Sequence, residues 1–478
     1  MKPKMIFCTG SFDGTGKEAA VLTKLLNVEL KKYFSPIFVT DNRECALEME
    51  KIGLNATYIY DELRKINVEN VVAELGLLEK KYEFCAEKVL FGDVDYTYIS
   101  RKKAFLEMVK YFYFWERILD KEKVEILFGG CVRYVGLISG IVAKKKKTIC
   151  LGIASTPFVD TFCLTGDNYG KYTLLEYYYA QKKITLIPKE EEDVSRLLAS
   201  CNKEINSITL QEEYKPALNF NKIKYLIDRV KVSRIEKDSP YLRVGRGINK
   251  YLLRLLRQHL FTKGFYKLPE TENFFYYPLQ IEDDSNRLVW ADFIESQISV
   301  IKSISRSLPA GCCLYVKEHP AAIGQIPISE LRNIKKVSKV RLISPFVPGK
   351  YLIKKSVGLI TLTGTSGMEA LVLKTPVIVL GRGFYNFPEL VHIITDWRDL
   401  DAILHQVYYL RTLPKEKDVL RLLQAYRKSC YKGSICMRQY YHSNVVDNSN
   451  ILNQENAKNL AEGIYQSYLI SLKIRRRI

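Results

Sequence analysis

The sequence has no run of eighteen or more uncharged apolar residues, so no membrane-spanning helix is expected. No secretory signal is expected either. The opening MKPKMIFCTGSF is basic, but its apolar run is short and leads into a Gly/Asp turn. Histidine is scarce, at five residues, and none stands in HxxxH or HExxH spacing. That argues against a zinc site built from protein ligands. The eleven cysteines form no CxxC pair and no even framework, and the adjacent Cys312 and Cys313 cannot easily bridge each other. Reduced, mostly buried thiols in a cytoplasmic protein are expected. Zinc-finger, RRM and KH signatures are absent, so no nucleic-acid partner is expected.

What is present points elsewhere. The chain has 478 residues and is 47% hydrophobic, enough for substantial cores in about two to three domains. The net charge is +20. An excess of this size suits an anionic partner, such as a phosphorylated substrate or an anionic membrane surface. Part of it is concentrated between Asn221 and Lys263, where twelve Lys/Arg face three Asp/Glu. Within this stretch, INKYLLRLLRQHLFTKGF sets leucines among basic residues. It reads either as a helix lying on anionic lipid or as one packed on the protein with a solvated basic face.

Strand and helix signals alternate twice. KMIFCTGSF, SPIFVT, NATYIY, VEILFGG and TICLGIA read as strands, with helical spacing in KEAAVLTKLLNVELKKYF, NRECALEMEKIG and VRYVGLISGIVAKK between them. The second series has strands at NFFYYPLQ, CCLYVKEHP, VRLIS, VGLITL and PVIVLG. Its helices are a long NRLVWADFIESQISVIKSISRSL and the short SGMEALVLK. This alternation predicts parallel sheets covered by helices. The expected fold is α/β, with two Rossmann-like domains facing across a ligand cleft. The first spans 1–185, a basic helical linker 186–270, the second domain 271–410, and C-terminal helices 411–478.

Two glycine-bearing turns compete for a phosphate. In FCTGSFDGTGKEAA, five residues separate Gly10 from Gly16, one more than a Walker A loop has. Glu18 stands where the metal-binding hydroxyl belongs. The expected reading is a strand-to-helix turn whose Ser11, Asp13 and Thr15 can touch an acceptor. The rival, TLTGTSGMEAL, supplies Thr363, Thr365 and Ser366 as hydroxyls. Gly364 and Gly367 there permit close backbone approach, ahead of a helix start that favours anions. Glu369 follows in the first turn, to bind ribose hydroxyls or to satisfy the helix dipole.

Two more motifs fall at strand ends. PLQIEDDS offers Gln280, Glu282, Asp283 and Asp284, either as acid/base or nucleophilic groups or as a capped helix start. VKEHP sets His319 near Lys317, a donor and charge partner for a phosphate or a structural pair. LGRGFYNFPEL is an aromatic, Gly-rich loop after the last strand.

In this order, YYPLQIEDDSN, YVKEHP and LTGTSGMEALVLKTPVIVLGRGFY resemble the bacterial capsule polysaccharide synthesis proteins, whose members include Kdo transferases. The resemblance covers roughly 270–390, about a quarter of the chain. It implies a GT-B type glycosyltransferase that needs no metal and uses a nucleotide-sugar donor such as CMP-Kdo. Gln280 with Asp284 would form the catalytic pair, with Asp283 as the other candidate aspartate. His319, beside Lys317, would contact the donor phosphate. Thr363, Thr365 and Ser366, in the turn with Gly364, Gly367 and Glu369, would bind it as well. The acceptor would be a glycan or glycolipid, met in the cytoplasm or on the inner face of the cell membrane. A sugar-nucleotide epimerase of the same architecture and a non-catalytic assembly scaffold are the alternatives.

Overall fold

The computed structural model describes residues 2–9, 16–130, 133–167, 169–202, 253, 266–282, 284–319, 322–434 and 451–476. The basic helix expected in INKYLLRLLRQHLFTKGF, apart from Leu253, and the first glycine turn's Ser11, Asp13 and Thr15 lie outside them. So do Asp283 and Pro320. The described chain forms two α/β units. The first runs from the N-terminus to Leu186 and resumes at Ala425. The second runs from Ile187 to Gln424 among the described residues.

The first unit is built on a seven-stranded sheet. Its strands are β1 (Lys4–Cys8), β2 (Ser35–Thr40), β3 (Ala56–Tyr58), β4 (Ile126–Gly130), β5 (Ile149–Ser155), β6 (Thr161–Thr165) and β13 (Cys430–Lys432). They are ordered β13-β6-β5-β4-β1-β2-β3. β1 to β5 pair in parallel, whereas β6 and β13 are antiparallel additions at one side. Met5, Ile6 and Phe7 of β1 are wholly buried, as a central strand covered on both faces requires.

The helix Gly16–Leu30 turns Ala19, Leu22, Leu26 and Leu30 onto this sheet. Against it lies the last helix, Gln454–Arg475, whose Ala457, Leu460, Ala461 and Ile464 join the same core. A Cβ at Gly463 would lie 2.7 Å from Phe162, so the helix seats closely only because that position is bare. Gln454 Nε2 donates to Glu29 at 2.6 Å and the Tyr468 hydroxyl to Glu125 at 2.8 Å. The C-terminal stretch is therefore not a separate layer. Its end completes the first unit, and β13 within it is a strand that helical spacing did not announce.

The second unit holds six parallel strands: β7 (Asn273–Pro278), β8 (Cys312–Lys317), β9 (Val340–Ile343), β10 (Gly358–Thr361), β11 (Val377–Val379) and β12 (His392–Ile393). Their order is β12-β11-β10-β7-β8-β9. The chain goes one way from β7 to β8 and β9, then crosses to β10 on the other side. The β7/β10 boundary is thus the topological switch point, where open α/β sheets leave a crevice at their carboxyl ends.

One helix expectation needs correction. The long NRLVW…SRSL helix is two helices, Ser285–Trp290 and Gln297–Ser307. Ser296 starts the second by accepting from the Ile298 amide at 3.2 Å. The Arg287 guanidinium holds the intervening turn by donating to the Ile294 carbonyl at 3.3 Å.

Candidate functional site

The three motif turns follow β7, β8 and β10, which are neighbours in the order β10-β7-β8. Adjacent strands lie about 4.8 Å apart, so all three turns share one edge within about 10 Å laterally. The acidic and hydroxyl turns flank the switch point. The His-Pro turn stands beside the acidic one.

The acidic turn is held from beneath. Gln297, fully buried, accepts from the Gln280 backbone N–H at 2.9 Å and donates to the Gln280 carbonyl at 2.9 Å. It also donates to the Glu282 carboxylate at 2.6 Å. Buried Arg287 donates to the Glu282 carbonyl from Nε at 3.0 Å and from its terminal nitrogen at 2.9 Å, and pairs with the Glu282 carboxylate at 3.0 Å. Glu282 is thereby committed to the scaffold. Asp284 is half-buried, directly before the Ser285–Trp290 helix, and its carbonyl accepts from the Leu288 amide at 3.0 Å.

The side chain of Gln280 crosses the switch point. With its amide oxygen facing the hydroxyl turn, it accepts from the backbone N–H of Gly364 at 2.7 Å and of Thr363 at 3.0 Å. Its amide nitrogen donates to the Thr363 hydroxyl at 3.0 Å. Two of the turn's N–H groups are consequently taken by Gln280. Among the described residues, the hydroxyls and N–H groups of Thr365 and Ser366 make no hydrogen bond within the protein. They remain available to an anion.

Gly367 has a different neighbour from the one expected. A Cβ there would meet the ring of Tyr385 at 2.3 Å, and the Tyr385 hydroxyl donates to the Gly364 carbonyl at 2.5 Å. The loop after β11 closes over the turn from that side. Gly381 in the same loop is packed so that a Cβ would lie 3.1 Å from the Thr363 methyl. Glu369 is half-buried; desolvation raises its pKa, and Lys350 partly offsets the rise.

On the other side, His319 is exposed just past the end of β8. Partial desolvation and the charge of Lys317 lower its imidazole pKa. Lys317 is buried and donates to the Pro345 carbonyl at 3.1 Å. Burial brings its ammonium down to about 8. Glu318, between them, is fully buried and accepts from the Tyr266 hydroxyl. Among the described residues, no group of three or more His, Cys, Asp or Glu is placed to hold a metal ion.

In the first unit, the first amide of the Gly16–Leu30 helix, Gly16 N–H, donates to the Glu44 carboxylate at 2.8 Å. A protein anion occupies the place where a phosphate loop would present its helix start.

Comparison with known proteins gives matches in sequence and in structure. Residues 212–440 match the family model of the capsule polysaccharide biosynthesis proteins. The match covers just under half of the chain. All three motif turns lie inside it. The capsule polysaccharide modification protein LipB of Neisseria meningitidis is 30% identical over 192 residues, which are 38% of this chain and 40% of that protein. The chain thus spans less than half the length of this curated relative. Among solved structures, the Thermosulfurimonas dismutans KpsC β-Kdo 2,7-transferase is 14% identical, with a TM-score of 0.31, over 77% of this chain and 97% of its own. The S. aureus MnaA–UDP structure is 13% identical, with a TM-score of 0.25, over 89% of this chain and 91% of its own.

Gln297, Arg287, Tyr385 and Tyr266 were not among the residues read from the sequence. A polar or charged residue inside an otherwise apolar helical stripe was the available signal for Gln297 and Arg287. Tyr385 lies in the aromatic LGRGFYNFPEL loop, which marked its neighbourhood though not its partner, and nothing local marked Tyr266.

Proposed function

We propose that the β10-β7-β8 edge binds a nucleotide-activated sugar and that the chain is a glycosyltransferase of capsule-type polysaccharide biosynthesis. The observation that carries this reading is the placement of a carboxylate turn and a free-hydroxyl turn on the two sides of the switch point, with His319 one strand away. Thr365, Ser366 and His319 would donate to the phosphate, and Lys317 would add charge. As the bond from the anomeric carbon to the phosphate oxygen breaks, the departing nucleotide gains negative charge, which these fixed donors stabilise. Asp284 would act at the sugar. Gln280 would hold the hydroxyl turn in place, and Glu369 would meet ribose hydroxyls.

Kdo delivered from its CMP ester is the donor to test first. The acceptor would be a glycan or a lipid-linked glycan, met at the cytoplasmic face of the membrane. No metal is required by this scheme, because the protein supplies the donors itself.

The deciding experiment is thermal stabilisation of the purified protein by CMP, UDP and GDP, for wild type and His319→Ala. A ligand at a hundred times its Kd stabilises the state that binds it by about 2.7 kcal/mol. We expect a shift with CMP that His319→Ala removes. A shift with UDP alone would favour the epimerase reading or another donor class. No shift with any of the three would leave the scaffold reading.

A further inference from the structure

The side-chain amide of Gln297 pairs with both the N–H and the carbonyl of Gln280, each at 2.9 Å, as a neighbouring strand would. This two-point contact fixes the orientation of the Gln280 backbone. The remaining capacity of the amide is also used, since Nε2 donates to Glu282 at 2.6 Å and Oε1 receives the Tyr277 hydroxyl at 3.4 Å. A leucine or methionine would fill the same volume. A glutamine buried to 1% exposure, with its polar atoms spent on one turn, instead specifies a geometry. What it orients is the residue whose own amide holds Thr363 and Gly364 across the switch point.

We infer that Gln297 is a positioning residue that couples the acidic turn to the hydroxyl turn through Gln280. This inference rests on the donor-site reading above. Its physical content is a chain of three links: Gln297 sets the Gln280 backbone, Gln280 sets the Thr363–Gly364 turn, and that turn presents Thr365 and Ser366 to a phosphate. Sites of this kind work only when the residues behind the contacting groups are themselves locked.

The test separates phosphate recognition from general integrity. Affinities for CMP and for cytidine are measured on the full chain by calorimetry, with UMP/uridine and GMP/guanosine in parallel. The ratio of nucleoside Kd to nucleotide Kd isolates the phosphate contribution. Gln297→Met is the main variant. Gln297→Glu is the second, because it keeps the volume and the acceptor for the Gln280 N–H. Gln280→Ala and the Gln280→Ala/Gln297→Met pair complete the cycle.

We expect Gln297→Met to reduce the ratio about tenfold while nucleoside affinity holds, and Gln297→Glu to reduce it less. In the Gln280→Ala background, Gln297→Met should add nothing further. A merely structural role would weaken nucleoside and nucleotide alike and would add fully to Gln280→Ala, and this result would overturn the inference. An unchanged ratio in both Gln297 variants would overturn it too. If wild type shows no gain from the phosphate with any base, the donor-site reading fails first and the inference falls with it.

Discussion

The ring of Tyr385 occupies the space that a side chain on Gly367 would need, with Cζ 2.3 Å and Oη 2.4 Å from the position of a Cβ. In an exposed helix, Gly→Ala gains up to about 1 kcal/mol. Here the sign reverses, because a buried ring must move and its hydroxyl must leave the Gly364 carbonyl. Gly367→Ala should cost about 1–3 kcal/mol. Urea unfolding of the single variant, and of Gly367→Ala with Tyr385→Leu, checks this. The double variant should be less destabilised than the sum of the two single changes.

Lys317 should make stability depend on pH in an unusual direction for a lysine. Its folded pKa is about 8 and its ordinary value is 10.5, with burial as the cause. Between these values the unfolded chain holds more protons than the folded one, so this residue makes stability rise with pH. The cost of charging it in place is fully present below pH 8 and is about 3 kcal/mol. Lys317→Met removes that cost and also loses the bond to Pro345, worth about 1 kcal/mol. The variant should be more stable than wild type by about 2 kcal/mol at pH 7, and the gap should close towards pH 10. Denaturant unfolding at several pH values would show a constant gap if Lys317 does not titrate in this range.

The same lysine should govern how nucleotide binding responds to pH. Above pH 8 the free protein loses the ammonium charge that would face a bound phosphate. CMP affinity should therefore fall by up to about tenfold per pH unit above 8, because each binding event must then take up a proton. Cytidine, which carries no phosphate, should bind without this dependence. Calorimetric titrations of both ligands from pH 7 to 9.5 distinguish the two outcomes. Equal profiles for CMP and cytidine would remove Lys317 from the phosphate site.

Arg287→Met should damage the acidic turn more than its surroundings. The guanidinium serves the Glu282 carbonyl twice, the Ile294 carbonyl once and the Glu282 carboxylate. Methionine fills the volume but leaves those carbonyls unserved. The ion pair itself counts for less, since Glu282 is 36% exposed. A loss of about 2–3 kcal/mol in urea unfolding is expected. A loss below about 0.5 kcal/mol, the range of ordinary surface changes, would show that the turn does not depend on this residue.

The sequence reveals most where one residue reports its own surroundings. Runs such as NFFYYP and CCLYVK state by themselves that β7 and β8 are buried, and Gly364 with its flanking hydroxyls announces a turn. Relationships between distant residues are less legible. Nothing in the stretch around Tyr385 says that its ring lies on Gly367, or in the stretch around Gln297 that its amide pairs with Gln280. The long helix expected from Asn286 onward failed for a related reason. Periodicity continues through ADFIES, but Arg287 reaches past it to Ile294 and the chain turns there. Likewise, the apolar stripe of Gln454–Arg475 promises a partner without naming the Gly16–Leu30 helix, more than four hundred residues earlier.

That last pairing has a consequence for biosynthesis. A ribosome releases Leu22, Leu26 and Leu30 long before Leu460, Ala461 and Ile464 exist to cover them. Domains made early in a chain usually fold while the rest is still being translated. Here the first unit must wait with an open apolar face until the second unit has been made and the final helix has left the exit tunnel. The nascent chain is therefore exposed to chaperones and to aggregation throughout translation of the second unit and until its covering helix, Gln454–Arg475, has emerged. A stop codon placed shortly before Gln454 would leave that face bare for good.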